Sequence, residues 1–306
     1  MKIDVAIQSY KKPELLIYTL LSLKKYCEKH IDTIYINDDG STDEQFSLYT
    51  SKEFRNAISP IKIKTRKNSI RMGWWYAPVK GLAPKWGNSI ERILKNIKFS
   101  IKSKSIDAER SNIRYQWAID NTDKKFLFIL HDDVVFYDDV IDLYLKHIQS
   151  MKNPGAVGDL GQCWRCGYST KGCTPEKILK GYIPDKSWPD YKNDPKNRWP
   201  CRLNEWCLMI SVDAAKFIEK HDSVLFGNYD NKGDIGAYWF SRLIKHKFSF
   251  SDPTLLEKNK KNFYMHADGG SGHSAWVDQG NGIVRYDSTV VVQKLWKDFS
   301  FKLSTQ

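Results

Sequence analysis

Two pairs of adjacent carboxylates come directly after apolar runs of the sequence. Asp38 and Asp39 follow "IDTIYIN", and Asp132 and Asp133 follow "FLFILH". A carboxylate driven into the end of a buried strand is unfavourable unless a cation or a metal ion compensates its charge. Mg²⁺ and Mn²⁺ prefer oxygen ligands of this kind and keep coordination positions open for phosphate oxygens. The two pairs therefore predict a site for a divalent cation and a phosphate-bearing ligand.

A structural role is the alternative for each pair, because carboxylates also cap helices and turns. Asp38 and Asp39 stand in "NDDGSTDEQ", a cluster of turn formers in which Asp43 is placed to start a helix. After the second pair no helix is predicted before about Asp138, so the structural alternative explains that pair less well.

Short apolar runs that alternate with helical patterns supply the elements around these acids. Strands are expected at residues 3–7, 33–36, 61–67 and 124–130, and helices are expected from Pro13, from about Asp43 and over 109–122. This alternation is typical of an α/β fold in which helices flank a mostly parallel sheet. Because ligands bind outside the carboxyl ends of parallel strands, both acid pairs are expected on one rim of the sheet.

The rest of the chain has a less even pattern. Residues 68–108 look loop-like apart from a helical stretch at 90–98. Further elements are predicted as a helix at 140–151, a strand at 155–162, a strand and a helix within 205–221, and a helix within 234–247. From Cys163 to Trp199 the sequence is weakly periodic, which predicts an irregular Cys/Trp-rich insertion at about 163–200. We expect one domain over residues 1–306.

The 306-residue chain has a formal net charge of +12, which attracts anions such as nucleotides, acidic glycans or an anionic membrane. A general bias toward Lys is the alternative explanation. Lys and Arg are scattered and no nucleic-acid-binding motif is present, so no nucleic acid is expected as a partner. Neither a signal peptide nor a run of about 18–20 apolar residues is found. This predicts a cytoplasmic protein, with peripheral attachment to an anionic membrane as a variant of that location.

Five of the six cysteines fall in the middle of the chain: Cys163, Cys166, Cys173, Cys201 and Cys207. A C-x-x-C pair has the spacing of many structural zinc sites, but such sites usually contain two close pairs and only one is present. Reduced cysteines without a metal are the alternative, as is usual in the cytoplasm. A structural Zn²⁺ would stabilise the insertion and would take no part in the chemistry.

The order of several motifs resembles that of family 2 glycosyltransferases, which have the GT-A fold. Where these enzymes open with "P-T-Y-N-R-x-x-x-L", this chain has "QSYKKPELL", and where they continue with "V-D-D-G-S-T-D" it has "INDDGSTD". Their metal motif is of the kind "Y-I-L-F-L-D-D-D", and this chain has "FLFILHDD". The resemblance covers residues 3–48 and 110–160, and 200–275 less closely. It implies a Rossmann-like GT-A sheet in which 1–140 binds a nucleotide-sugar and 141–306 binds an acceptor.

For the donor, the resemblance implies a nucleotide pocket at the ends of the first strands. Ser9 and Tyr10 would line this pocket. Asp38 and Asp39 would face the base and the ribose, and Asp132 would contact the ribose or the sugar. The donor would be a nucleotide-diphosphate sugar.

For the metal, the resemblance implies Mn²⁺ or Mg²⁺ bound by Asp133 and by His266 of "YMHADGGSGHSAW", with His273 as the alternative ligand. His131 departs from the family pattern, in which an acid is commoner, and it would either contact ribose or lie outside the ligand shell. Arg114 would hold phosphate or would be a solvated charge. The metal would neutralise the charge of the leaving diphosphate.

An inverting glycosyl transfer needs a base that takes the proton of the acceptor hydroxyl. Family members carry an acid for this step in a stretch like "E-D-x-D-L-x-x-R-L". Arg242 and Leu243 match its end, and the nearest upstream acid is Asp234, a residue or two farther away than usual. Asp230 is the reserve, and Asp234 could instead cap the helix. The resemblance thus implies transfer to a glycan or other hydroxyl acceptor, as in surface polysaccharide or glycoconjugate synthesis.

The sequence is also compatible with two other functional classes of protein. Sugar-1-phosphate nucleotidyltransferases use a related sheet, but they carry "G-G-x-G-T-R" after the first strand, and "QSYKKPE" contains no glycine. A non-catalytic glycan- or nucleotide-binding protein could keep the same fold. A single cleft that contains Asp133, His266 and Asp234 would distinguish an enzyme from a binding protein.

Overall fold

The computed structural model describes residues 1–69, 71–72, 79, 97, 101, 109–159, 203–228, 235–253, 263–267, 277–280 and 283–303. The first elements are β1 (Ile3–Ser9), α1 (Pro13–Cys27), β2 (Ile31–Asp38), α2 (Asp43–Thr50), α3 (Lys52–Ile58) and β3 (Lys62–Lys67). They are followed by α4 (Gln116–Asn121), β4 (Phe126–His131), β5 (Val134–Phe136), α5 (Val140–Ser150) and β6 (Pro154–Gly158). The remaining elements are β7 (Cys207–Ser211), α6 (Val212–Asp222), α7 (Ala237–Lys245), β8 (Ser249–Ser251), β9 (Tyr264–His266), β10 (Val277–Gly280), β11 (Ile283–Tyr286) and α8 (Ser288–Phe299).

Seven strands form one sheet in the order β3-β2-β1-β4-β7-β6-β8. β1 runs parallel to both of its neighbours, β2 and β4, and β3 runs parallel to β2. In the described part of this sheet β7 alone is antiparallel to its neighbours, β4 and β6. The prediction of an α/β fold with a mostly parallel sheet flanked by helices is confirmed.

Apolar side chains from the two faces of the sheet contribute to two hydrophobic cores. Ile3, Val5 and Ile7 of β1 belong to a core that includes residues of α1, α3, α5 and α8. Ala6 belongs to the other core, with residues of α4, α6 and α7. Helices on both faces explain why β1 is buried along its whole length and why its sequence is a nearly continuous apolar run.

Local signals in the sequence set the start of the first two helices. Pro13 is at the first position of α1, where its missing N–H breaks no helical hydrogen bond. Thr42 caps α2 in a capping box with Gln45. The segments between β1 and α1, and between β2 and α2, therefore have defined lengths and lie at the carboxyl ends of their strands.

The prediction of one helix over residues 109–122 is wrong. A 3₁₀ turn at Arg110–Asn112 is separated from α4 by Tyr115, whose φ of +63° lies in the left-handed region. The ring of Tyr115 is buried and packs against Phe226 at a centroid distance of 5.8 Å. Tertiary packing thus interrupts a segment with helical periodicity.

Several predicted features lie outside the described residues, among them the insertion at about 163–200 and most of the helical stretch at 90–98. Within the described residues, no helix is long and apolar enough to cross a membrane.

Candidate functional site

The carboxyl ends of three parallel strands form the rim on which the acid pairs lie. β1 stands between β2 and β4, with Ser9 paired with Asp38 and Gln8 paired with His131. The backbone carbonyl of Ser9 accepts a hydrogen bond from the backbone N–H of Asp39 at 2.8 Å. The acid pairs after β2 and β4 therefore lie on either side of the end of β1.

The carboxylate of Asp38 is engaged by the turn that follows β2. Its Oδ1 accepts hydrogen bonds from the backbone N–H groups of Gly40 at 3.0 Å and Ser41 at 2.7 Å. Its Oδ2 accepts from the hydroxyls of Ser41 and Tyr49, both at 2.6 Å. Gly40 has a φ of +90°, which suits glycine. Asp38 therefore stabilises the turn that follows β2.

Asp39 is held in place by residues that follow β3. Its Oδ1 accepts hydrogen bonds from the backbone N–H of Met72 at 2.7 Å and from the side-chain amide of Asn68 at 3.1 Å. The same amide donates to the backbone carbonyl of Asn112 at 3.1 Å. Asp39 is only 2% exposed, so these bonds fix the direction of its carboxylate.

Arg66 of β3 connects Asn68 and Asn112 into a partly buried polar network. Its guanidinium donates to Asn68 Oδ1 at 2.8 Å, to Asn112 Oδ1 at 3.1 Å and to the backbone carbonyl of Ser111. Burial lowers the pKa of Arg66. Sequence reasoning missed this network. The available signal was that Asn68 directly follows its strand, as the acid pairs follow β2 and β4.

Tyr10 and Lys11 connect the end of β1 to both acid pairs. The backbone N–H of Tyr10 donates to Asp132 Oδ2 at 3.1 Å. The guanidinium of Arg71 lies 3.9 Å from the centroid of the Tyr10 ring. The backbone N–H of Lys11 donates to Ser41 Oγ, in the turn after β2, at 2.9 Å. The segment after β1 thus lies between the two acid pairs and contacts the structure around each.

Asp132 and Asp133 place two negative charges close together at the end of β4. Asp133 is 6% exposed, and its Oδ2 lies 3.9 Å from Lys12 Nζ. Burial and the charge of Asp133 raise the pKa of Asp132 to about 6, and the charge of Lys12 opposes this shift only in part. A buried carboxylate next to a half-buried one fits a divalent cation, whose positive charge would offset the repulsion between them.

His131 lies between two buried acids. Its Nδ1 is 3.8 Å from Asp133 Oδ1, and its Nε2 is 3.5 Å from Glu205 Oε1. Burial by itself would lower the pKa of His131, but the neighbouring carboxylates of Glu205 and Asp133 outweigh burial and raise the pKa. Sequence reasoning did not find Glu205, because no motif marks its position before β7.

Arg114 lies in the turn between the 3₁₀ segment and α4, and not on a helix as the sequence predicted. Its positive charge opposes the upward shift of the pKa of His131, at the end of β4. The backbone of Arg114 is packed against Gly227, where an added Cβ would lie 1.8 Å from the Arg114 carbonyl oxygen.

The backbone of His266 is adjacent to the acids that follow β4. β9 pairs antiparallel with β5, with His266 opposite Val134. The backbone N–H of Ala267 donates to the backbone carbonyl of Asp133 at 2.7 Å. The structure therefore brings together the backbones of the two predicted metal ligands. Within the part of the chain that the structure describes, no group of three His, Cys, Asp or Glu side chains is arranged to hold a metal ion.

Some predicted residues cannot be placed against this site. The predicted base Asp234, its reserve Asp230 and the alternative ligand His273 lie outside the described residues. The same holds for Cys163, Cys166, Cys173 and Cys201. Cys207 is described, and it is fully buried in β7, where burial raises the pKa of its thiol well above the usual value. Cys207 is thus a core residue.

Comparisons with known proteins give similarity at the level of structure. No protein-family model and no curated protein matches the sequence. A mannosyltransferase from Pyrobaculum calidifontis, in complex with GDP-Man and Mn²⁺, superposes with a TM-score of 0.46 at 9% identity, over 82% of this chain and 54% of that chain. Glucosyl-3-phosphoglycerate synthase from Mycobacterium tuberculosis superposes with a TM-score of 0.41 at 9% identity, over 82% and 69% of the two chains.

Core-mannan synthase A from Aspergillus fumigatus, in its Mn/GDP form, has a TM-score of 0.38 at 12% identity, over 78% of this chain and 69% of that chain. The match therefore spans about half of the mannosyltransferase chain, 54% of its length. Glycosyltransferases are thus found among the solved structures that this chain is similar to, which is the class that its motifs resemble. At these identities and TM-scores, the case for an activity depends on the site itself.

Proposed function

We propose that the protein is a metal-dependent, inverting glycosyltransferase of the GT-A type that uses a nucleotide-diphosphate sugar. The observation that carries this proposal is the position of the two acid pairs on either side of the end of β1. One pair is accompanied by a partly buried polar network suited to a nucleoside. The other consists of adjacent carboxylates in which burial and mutual repulsion raise the pKa of Asp132, an arrangement suited to a cation.

The nucleoside part of the donor is assigned to the rim between β1 and β2. Asp39 offers a carboxylate of fixed orientation for the base or the ribose. Tyr10 lies beside it, and Ser9 has a buried hydroxyl without a hydrogen-bond partner in the described structure. Asp38 supports this pocket through the turn after β2.

The diphosphate part of the donor is assigned to the end of β4. Asp133 and His266 would hold Mn²⁺ or Mg²⁺, and Asp132 would contact the ribose or the sugar. A bound divalent cation supplies the positive charge that stabilises a departing diphosphate. Arg114 would add a second positive charge for phosphate, which agrees with its electrostatic effect on His131.

The transfer step is assigned to Asp234, on the basis of the motif resemblance. The acceptor hydroxyl oxygen attacks the anomeric carbon, and its proton passes to the carboxylate of Asp234. The bond between the anomeric carbon and the diphosphate oxygen breaks, and the nucleoside diphosphate leaves with the electron pair. The configuration at the anomeric carbon is inverted because a single displacement takes place.

The acceptor is assigned to the class of sugars, glycans and other hydroxyl compounds, as in surface polysaccharide or glycoconjugate synthesis. The net charge of +12 favours acidic acceptors or an acceptor presented at an anionic membrane.

A titration with nucleotides and metal tests the donor site. UDP, GDP, CDP and dTDP are each titrated by calorimetry, with and without Mn²⁺, into the wild type, Asp133→Ala and the control Asp142→Asn on the surface of α5. We expect one nucleotide to bind tightly only with Mn²⁺, and we expect Asp133→Ala to abolish this binding while the control retains it.

Two outcomes would overturn the proposal. Absence of nucleotide binding under all conditions removes the donor site. Binding that depends on neither Mn²⁺ nor Asp133, without sugar transfer to any acceptor, would instead indicate a non-catalytic nucleotide-binding protein.

A further inference from the structure

Glu205 is a buried acid that lies beside His131, at the end of β4, on the side opposite to β1 and β2. It lies two residues before the start of β7, which neighbours β4 on the side away from β1. Glu205 is 5% exposed, and its Oε1 lies 3.5 Å from His131 Nε2. The other ring nitrogen of His131 faces Asp133 Oδ1 at 3.8 Å. The imidazole therefore lies between Glu205 and the proposed metal ligand.

Backbone pairing fixes Glu205 relative to β4. Leu130 is paired with Cys207, and the backbone N–H of His131 donates to the carbonyl of Trp206 at 3.1 Å. On the other side of Glu205, the backbone N–H of Asn204 donates to the carbonyl of Asp159 at 2.8 Å. Because the backbone is bonded before and after it, Glu205 approaches His131 from a rigid position.

The charges explain why His occupies position 131. An acid there would add a third negative charge between Glu205 and Asp133, and buried like charges repel strongly. An imidazole can direct one ring nitrogen toward each carboxylate. The acid at position 205 therefore favours a histidine over a third acid at position 131.

We infer that Glu205 is a positioning residue of the metal site. It holds the imidazole of His131, and His131 in turn holds the carboxylate of Asp133. The inference rests on the proposed function, since it takes Asp133 as a metal ligand. Groups that orient metal ligands in this way typically contribute about 10- to 100-fold to metal affinity.

Mn²⁺ binding to Glu205→Gln tests the inference, because this substitution keeps the volume of the side chain and removes its charge. The dissociation constant of Mn²⁺ is measured by electron paramagnetic resonance, with Mn²⁺ alone and in the presence of UDP or GDP. We expect Glu205→Gln to weaken Mn²⁺ binding about tenfold or more. Glu219→Gln is the matched control, because Glu219 of α6 forms an ion pair with Arg110 outside the site. This variant is expected to bind Mn²⁺ as the wild type does.

A double-mutant cycle tests whether Glu205 acts through His131. In the His131→Ala background, Glu205→Gln is expected to change the Mn²⁺ dissociation constant by no more than about twofold, because the connecting ring is absent. An equal effect in both backgrounds would exclude action through His131. Thermal unfolding of each variant shows that the comparison is made between folded proteins.

The outcomes separate this inference from the proposed function. If the wild type binds Mn²⁺, Asp133→Ala loses it and Glu205→Gln retains it at wild-type strength, the positioning role is wrong and the metal site stands. If the wild type binds no Mn²⁺ under any of these conditions, both the metal-dependent function and the positioning role are overturned.

Discussion

At the scale of single residues, Asp38 and Asp39 show how two identical neighbours take different roles. Asp38 accepts four hydrogen bonds from its own turn and from Tyr49. The Oδ1 of Asp39 accepts bonds from residues after β3, and these bonds orient its carboxylate at the rim. From the resemblance of the motif "NDDGSTD", both acids were predicted to face the base and the ribose. The difference between them depends on Asn68 and Met72, which no local pattern connects to Asp39.

Substitution of Asp38 is expected to affect mainly the stability of the fold, and substitution of Asp39 mainly nucleotide binding. Asp38→Ala leaves several buried donors without an acceptor, so we expect the free energy of unfolding to fall by about 3–4 kcal/mol. Asp39→Asn keeps an acceptor at Oδ1 and should change stability less, while the loss of charge weakens nucleotide binding roughly 10- to 100-fold. Urea unfolding and nucleotide titration measure the two effects. Equal stability losses in both variants would contradict this division.

Asp4, at the opposite end of β1, leads to a prediction of how the stability of the fold depends on pH. Its oxygens accept hydrogen bonds from the Thr33 backbone at 3.1 Å and from the Thr122 hydroxyl at 2.7 Å. Burial nevertheless raises the pKa of Asp4 above its usual value of 3.8. The folded state therefore binds this proton more tightly than the unfolded state, and this contribution to stability is lost as the pH rises through the raised pKa.

Asp4→Asn is always neutral, so its free energy of unfolding relative to the wild type should increase as the pH rises from 3 through the raised pKa and then stay constant. Urea unfolding at several pH values measures this difference. Asp123→Asn is the control with the opposite sign, because Lys124 lowers the pKa of the Asp123 carboxylate. A relative stability of Asp4→Asn that does not change with pH would contradict the prediction.

At the scale of elements, the sequence predicts what local pattern determines and misses what distant packing determines. β1, β2 and β4 were expected from their apolar runs, and both acid pairs were expected at their carboxyl ends. The break at Tyr115 was not expected, because it depends on contacts of Arg114 and Tyr115 with Gly227 and Phe226, which lie more than 100 positions farther along the chain. Glu205 was missed for the same reason, since only the pairing of β4 with β7 brings it to His131.

Gly227→Ala tests the packing of this broken segment. The added Cβ would lie 1.8 Å from the Arg114 carbonyl oxygen, so one backbone must shift. We expect a loss of about 1–3 kcal/mol in the free energy of unfolding, as for other overpacked sites. Weaker nucleotide binding should accompany it if Arg114 contacts phosphate. Lys216→Ala, on the exposed face of α6, is the control that should change neither quantity. A fully stable Gly227→Ala protein would show that the contact relaxes freely.

At the scale of the whole molecule, the candidate site joins segments that are far apart in the sequence. Tyr10 is bonded to Asp132, Asp39 to Asn68, and the Asp133 carbonyl to Ala267. These contacts join residues between positions 10 and 267 and involve several strands of the sheet. A ligand that binds at this rim contacts elements from all of these segments, so its binding energy adds to the stability of the folded state.

The donor and metal together are therefore expected to stabilise the protein against global unfolding. At 100 times the dissociation constant, the free energy of unfolding should rise by about 2.7 kcal/mol, which corresponds to roughly 4 °C in Tm. The shift is measured by calorimetry with Mn²⁺ and the nucleotide that binds. Asp142→Asn should show the full shift and Asp133→Ala none. A shift of equal size in Asp133→Ala would mean that the nucleotide and metal bind away from the end of β4, and the assignment of this rim as the donor site would then be incorrect.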